Sequence, residues 1–132
     1  MSHELFWLTL TVAMTGLFWV PYTLDRVACR GLAGALANPS PADKPQSAWA
    51  VRQMNAHYNA VENLVLFAPL VLTVQALGIA TATTALACAV YFWARLAHYV
   101  VYTLGIPGLR TLAFTVAFLA EAALVLAIFK LI

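Results

Sequence analysis

Arg52, Asn55, Asn59 and Glu62 recur every three or four residues in "RQMNAHYNAVENL", residues 52 to 64. On a helix such spacing returns the side chains to one face. Arg95, His98 and Tyr102 form a second stripe of the same kind. Arg110 and Glu121 share a face in a third segment, with Phe114 and Phe118 between them. Three guanidinium groups (Arg52, Arg95, Arg110) are set against Glu62, so a part-buried pocket built from them carries a surplus of positive charge. Such a pocket suits an anionic ligand, because guanidinium forks bind carboxylates in a bidentate fashion. Tyr102 and His98 would add oriented hydrogen bonds. A purely structural alternative is interhelical glue, with Glu62 and Arg95 as an ion pair and Glu121 as a buried carboxylate that seeks a partner or is partly protonated. His57 falls off the main stripe and reads as interfacial. Charged groups inside membrane spans are costly and tend to mark sites, which favours the binding reading for the rest.

The elements that must carry these stripes are membrane helices. The chain has 132 residues, 64% hydrophobic and only 9% charged, with a mean hydropathy of +0.86. A soluble domain of this size would lack the polar surface to face water. Long unbroken apolar runs predict an all-α membrane protein, a four-helix bundle, rather than a barrel of short alternating strands. A net charge of +2 without a basic stripe argues against nucleic-acid binding. Cys29, placed in a polar loop, and Cys88, inside an apolar run, match no metal-ligand spacing, and neither do the three histidines. No metal is expected.

One domain spans residues 1–132, with membrane segments at about 5–24, 49–77, 83–104 and 109–129. The first has no basic leader or small-residue cleavage site and reads as a retained span. A loop with Asn38-Pro39-Ser40-Pro41 and Pro45 follows, and Ser47 is the expected N-cap of the second helix. That helix exceeds a ~30 Å bilayer core at ~1.5 Å per residue, so its polar first third projects from the lipid or lines an enclosed cavity. Pro69 is expected to kink it. Arg26, Arg30, Lys44 and Arg52 lie in or beside the first loop and Arg110 beside the third, against Lys130 on the other side. Positive-inside bias predicts loops one and three in the cytoplasm and both termini outside. The three polar stripes then converge at one level of the bundle.

"RQMNAHYNAVENL" followed by "FWARLAHYVVYTLGIPGLRTLAF" resembles the MAPEG family, the membrane-associated proteins in eicosanoid and glutathione metabolism, in a bacterial-type member. The resemblance covers the whole chain. It implies a homotrimer in the bacterial inner membrane, with sites at subunit interfaces opening to the cytoplasm and glutathione as co-substrate. By motif, Arg52, Asn59 and Glu62 match the residues that hold the charged ends of glutathione. Tyr102 matches the tyrosine of the third helix, and Arg110 matches the arginine that faces the thiol. Arg30 or Arg26 would supply a further carboxylate contact. Asn55 stands where several catalytic members carry an arginine, and Phe114 where some carry a tyrosine.

Two functions follow from the resemblance. One is a glutathione-dependent transferase or peroxidase acting on a small lipophilic substrate that enters from the membrane lipid. The other, motivated by Asn55 and Phe114, is a non-catalytic protein of the same fold that binds a lipid or a partner. An ion or solute pathway ranks below both, because the polar residues cluster at one level and no polar track continues across the spans.

Overall fold

The computed structural model describes residues 1–132, and every regular element in it is a helix. In chain order these are α1 (His3–Leu17), α2 (Trp19–Leu36), α3 (Ala48–Ala76), α4 (Ala82–Leu104) and α5 (Pro107–Ile128). Four helical stretches, with α1 and α2 taken together, are long and apolar enough to cross a membrane. Only 27 of the 132 residues are buried, while large apolar side chains face outward along α3, α4 and α5, such as Val65, Leu72, Leu86, Leu112 and Leu119. That surface needs lipid as its solvent.

The first segment runs further than its apolar stretch. Its helix reaches Leu36 past a kink at Gly31 (φ 70°), so Cys29, expected in a loop, lies on α2. A break separates α1 from α2 at Phe18, three residues before Pro21. Proline has no N–H to give the carbonyl of Leu17, and its ring crowds that turn. The Phe18 N–H bonds back only three residues, to the Thr15 carbonyl at 3.2 Å. The Phe18 carbonyl accepts from the Tyr99 hydroxyl at 3.1 Å, and the two rings stack at 3.6 Å. Thus α4 satisfies a polar backbone group at the break.

The core runs along α1, α3, α4 and α5: Leu8, Phe67, Val71, Val74, Cys88, Tyr91 and Leu124, with Ala87, Ala94, Ala117 and Ala120 at the contacts. Small residues let helices approach closely where lipid offers no hydrophobic drive. Phe67 stacks on Tyr91 at 3.7 Å and fixes the register of α3 against α4. Outside this core, α2 packs on α3. Asp25 on α2 accepts from the backbone N–H of Ser47 at 3.0 Å. Ser47 is the N-cap of α3, although its hydroxyl makes no cap bond.

A polar tie closes one end of the bundle and a glycine turn the other. At one end Glu4, 2% exposed, accepts from the Thr84 hydroxyl at 2.6 Å and from the Gln75 amide at 3.4 Å. Thr84 is also half of the capping box that starts α4. At the other end Gly105 closes α4 in a left-handed conformation (φ 78°), which glycine adopts without strain.

We predict that Thr84→Val, which keeps the shape but removes the hydroxyl, destabilises the bundle by about 1–3 kcal/mol by leaving Glu4 Oε1 without its donor and opening the cap. Thr84→Ser should retain most of the stability. Thermal melting in detergent, followed by tryptophan fluorescence, measures both.

Candidate functional site

The start of α3, the end of α4 and the start of α5 meet at the end of the bundle that carries the first loop. The link between α4 and α5 is tight, with Ile106 as the N-cap and Pro107 opening the helix. Proline suits that position because its missing N–H has no partner there in any helix. This places Arg110 one turn into α5, beside Tyr102 of α4.

A polar pocket of about 200 Å³ forms between the three helices, lined by Asn59, His98, Tyr102, Arg110, Thr111 and Phe114. The Arg110 guanidinium sits over the Tyr102 ring, 4.4 Å from its centroid. His98 meets Tyr102 edge-on at 5.6 Å and lies 6.3 Å from Phe114. No carboxylate lines the pocket, so the guanidinium has no counter-charge within it. The α5 N-terminus adds partial positive charge and free N–H groups at the same place.

Behind the pocket lies Arg95, which is 1% exposed. Its Nη2 donates to Asn59 Oδ1 at 2.8 Å, and Asn63 Nδ2 donates to the Asn59 carbonyl at 2.8 Å. With Oδ1 engaged, the Asn59 amide is left with its N–H groups to present. Arg95 Nε and Nη1 and Glu121 Oε1 are buried without hydrogen-bond partners. The expected ion pair between Glu62 and Arg95 does not form, since the only salt bridge of the chain joins Arg30 to Asp43. The reason is geometric: Glu62 lies on the exposed face of α3, whereas Arg95 is buried.

The stripe on α3 is therefore divided. Asn59 lines the pocket, while Asn55 and Glu62 point outward from the protomer. Arg52 is half-buried, and its Nε donates to the Thr103 carbonyl at 2.9 Å. It thus satisfies one of the carbonyls left open where α4 ends. A side chain at Gly105 would crowd it, at 3.2 Å from Nε. Arg30 lies away from the pocket, held by Asp43 at 3.1 Å and by the Lys44 carbonyl at 2.7 Å. Arg26 is engaged with Gln46 at 3.2 Å. His57, read as interfacial, packs within the protomer against α1 and α2, with its Nδ1 2.9 Å from the Tyr22 hydroxyl. Thr111 escaped the sequence reading. Its signal was adjacency to Arg110 in the first turns of α5.

A larger groove of about 520 Å³ on the outer face of α4 and α5 is wholly apolar, from Leu86 and Val90 to Trp93 and Leu112. It has nothing to orient a polar ligand.

The buried charges generate a stability prediction. Arg95→Met should cost about 1–3 kcal/mol, because it removes the charged donor from Asn59 Oδ1 inside the bundle. A double-mutant cycle with Asn59→Ala on melting in detergent tests the coupling.

No curated protein and no solved structure matches the chain. The model of the MAPEG family matches residues 5–130, nearly the whole length. The four spanning segments and the chain-long match together place this protein in the MAPEG family.

Proposed function

We propose that the protein is a glutathione-dependent transferase or peroxidase acting on a lipophilic electrophile. One observation carries the reading: Arg110 sits at the N-terminus of α5, over Tyr102, in a polar pocket without a carboxylate. Glutathione is the co-substrate that family membership suggests, and the pocket's chemistry fits it. Asn59, His98 and Tyr102 supply hydrogen bonds, and Arg110 with the helix terminus supplies positive charge. A thiol attacks as the thiolate, and its ordinary pKa of about 8.5 falls beside a guanidinium or a helix N-terminus. The proton leaves to water at the pocket mouth, and the thiolate attacks an acceptor that arrives from the lipid.

The pocket within one protomer, about 200 Å³, is smaller than the ~300–1,000 Å³ common for ligand sites. Asn55 and Glu62, exposed on α3, would be costly against lipid. Both points support a homotrimer in which a neighbouring subunit covers this face, brings Asn55 and Glu62 into use and enlarges the site. Arg52, whose Nε is spent on Thr103, keeps its terminal nitrogens for a carboxylate. Arg30 would reach such a site only across a subunit boundary. The charge bias of the loops supports a bacterial inner membrane location with loops one and three in the cytoplasm.

A second reading, binding of a lipid or a partner without chemistry, is favoured by Asn55. Its side chain lies outside the pocket and carries no charge.

Titration of purified protein with glutathione should raise the ultraviolet absorbance of the thiolate. Arg110→Ala should abolish that signal and lower conjugation by about 10²-fold, the scale of a lost preorganised charge. Absence of signal, conjugation and thermal stabilisation at millimolar glutathione would leave the binding reading standing. For orientation, a membrane-impermeant thiol reagent should label Lys130→Cys from outside the cell, in a chain lacking Cys29 and Cys88.

A further inference from the structure

Where α4 ends, its last carbonyls lose their partners within the helix. Two of them are met by the turn that follows. The Gly105 N–H donates to the Tyr102 carbonyl at 3.0 Å, and the Ile106 N–H donates to the Val101 carbonyl at 3.0 Å. The Thr103 carbonyl has no such donor. In a continuing helix its partner would be the N–H four residues on. That residue is Pro107, which has none. Arg52, on a different helix, fills the gap: its Nε donates to the Thr103 carbonyl at 2.9 Å.

The same side chain packs on the turn that it bonds. Gly105 reverses the chain with φ 78°, and a Cβ there would meet Arg52 Nε at 3.2 Å and Cζ at 3.4 Å. Glycine is therefore required twice, by the left-handed backbone and by the approach of Arg52. On one side of this turn lies Tyr102, next to Thr103. On the other side α5 begins, where the Arg110 N–H donates to the Ile106 carbonyl at 3.1 Å. The Arg110 guanidinium rests 4.4 Å above the centre of the Tyr102 ring. No salt bridge holds it, so its place depends on that ring and on the course of the backbone. Both members of the stack are thus attached to the short link that Arg52 grips.

We propose that Arg52 is a positioning residue: it holds the turn between α4 and α5 through the Thr103 carbonyl and so keeps the Arg110 guanidinium over the Tyr102 ring. The use of that stack in chemistry rests on the glutathione reading, whereas the positioning is a property of the fold. Arg52 then acts on the thiol through Arg110, by a bond that its Nε makes to the backbone. This duty is separate from any contact that its terminal nitrogens make with a ligand.

The test uses the full chain in lipid nanodiscs, grown with ring-fluorinated tyrosine. The readout is the fluorine NMR resonance of Tyr102, assigned by its loss in Tyr102→Phe. A cation over the ring perturbs that resonance, so Arg110→Ala should displace it and supplies the reference. Arg52→Met keeps an unbranched stem but removes the donor, and should move the resonance towards the Arg110→Ala position. In the Arg110→Ala background the same substitution should move it no further, because the group that it positions is gone. Gly105→Ala pushes on Arg52 without altering any charge and should behave in the same way, which keeps the test intact if Arg52→Met fails to fold. None of these measurements needs glutathione, so their outcome is distinct from that of the proposed chemistry. With glutathione bound, Gly105→Ala should also raise the pH midpoint of the thiolate absorbance by about one unit, since a displaced cation favours the anion less. A Tyr102 resonance that stays in place in Arg110→Ala, or in both Arg52→Met and Gly105→Ala, would overturn the proposal. Equal displacement with and without Arg110 would overturn it too, as would a thiolate midpoint that Gly105→Ala leaves unchanged.

Discussion

A guanidinium buried in a bundle that faces lipid constrains the rest of this structure. Arg95 is 1% exposed, and no water reaches it from the hydrocarbon side. Its charge must be met by groups inside the protein. Asn59 of α3 gives it an oxygen at 2.8 Å. Glu121 of α5 gives it a carboxylate at longer range. Arg95 thereby ties α4 to α3, and it also fixes which way the Asn59 amide faces. The pocket between α3, α4 and α5 is a consequence of that burial, since Asn59, His98 and Arg110 are held around its upper side. One turn away, Tyr91 stacked on Phe67 holds the register that keeps Arg95 in reach of Asn59.

The same scarcity of water governs the backbone. Each carbonyl that a helix end or break releases must find a donor within the protein. Tyr99 serves the Phe18 carbonyl at the break before Pro21. Arg52 serves Thr103 where α4 ends. Both bonds join residues distant in sequence. They explain why polar side chains with a binding-like appearance divide between two duties. Arg52 closes a helix end while keeping terminal nitrogens free. Arg110 closes none and rests on an aromatic face.

Much of the fold was legible in the residues. Apolar runs and the breakers Pro45, Gly78, Gly105 and Pro107 mark α3, α4 and α5 to within a residue or two, because helix length in a membrane is set by hydropathy and ended by backbone chemistry. The end of the first helix was less visible. Past Leu24 the chain turns polar, yet α2 runs on to Leu36, held by contacts of Asp25 and Arg26 with the start of α3. Hydropathy reports where lipid ends and says nothing about where a helix ends once it packs on protein.

The sequence by itself determined that this is a helical membrane protein and that its polar stripes gather at one end, and it grouped Asn59, His98, Tyr102 and Arg110, which line one pocket, with Arg52, Asn55, Glu62 and Arg95, which do not. Helical periodicity and alternating topology suffice for that, because both are local rules. The tertiary structure alone decided how the α3 stripe divides. Asn59 turns inward to Arg95, whereas Glu62, three residues on, turns outward. Three residues advance a helix by less than a full turn, so both fit one stripe on paper. Which edge of the stripe is buried depends on where α4 lies against α3, and that was set by Tyr91 and Phe67, outside the motif.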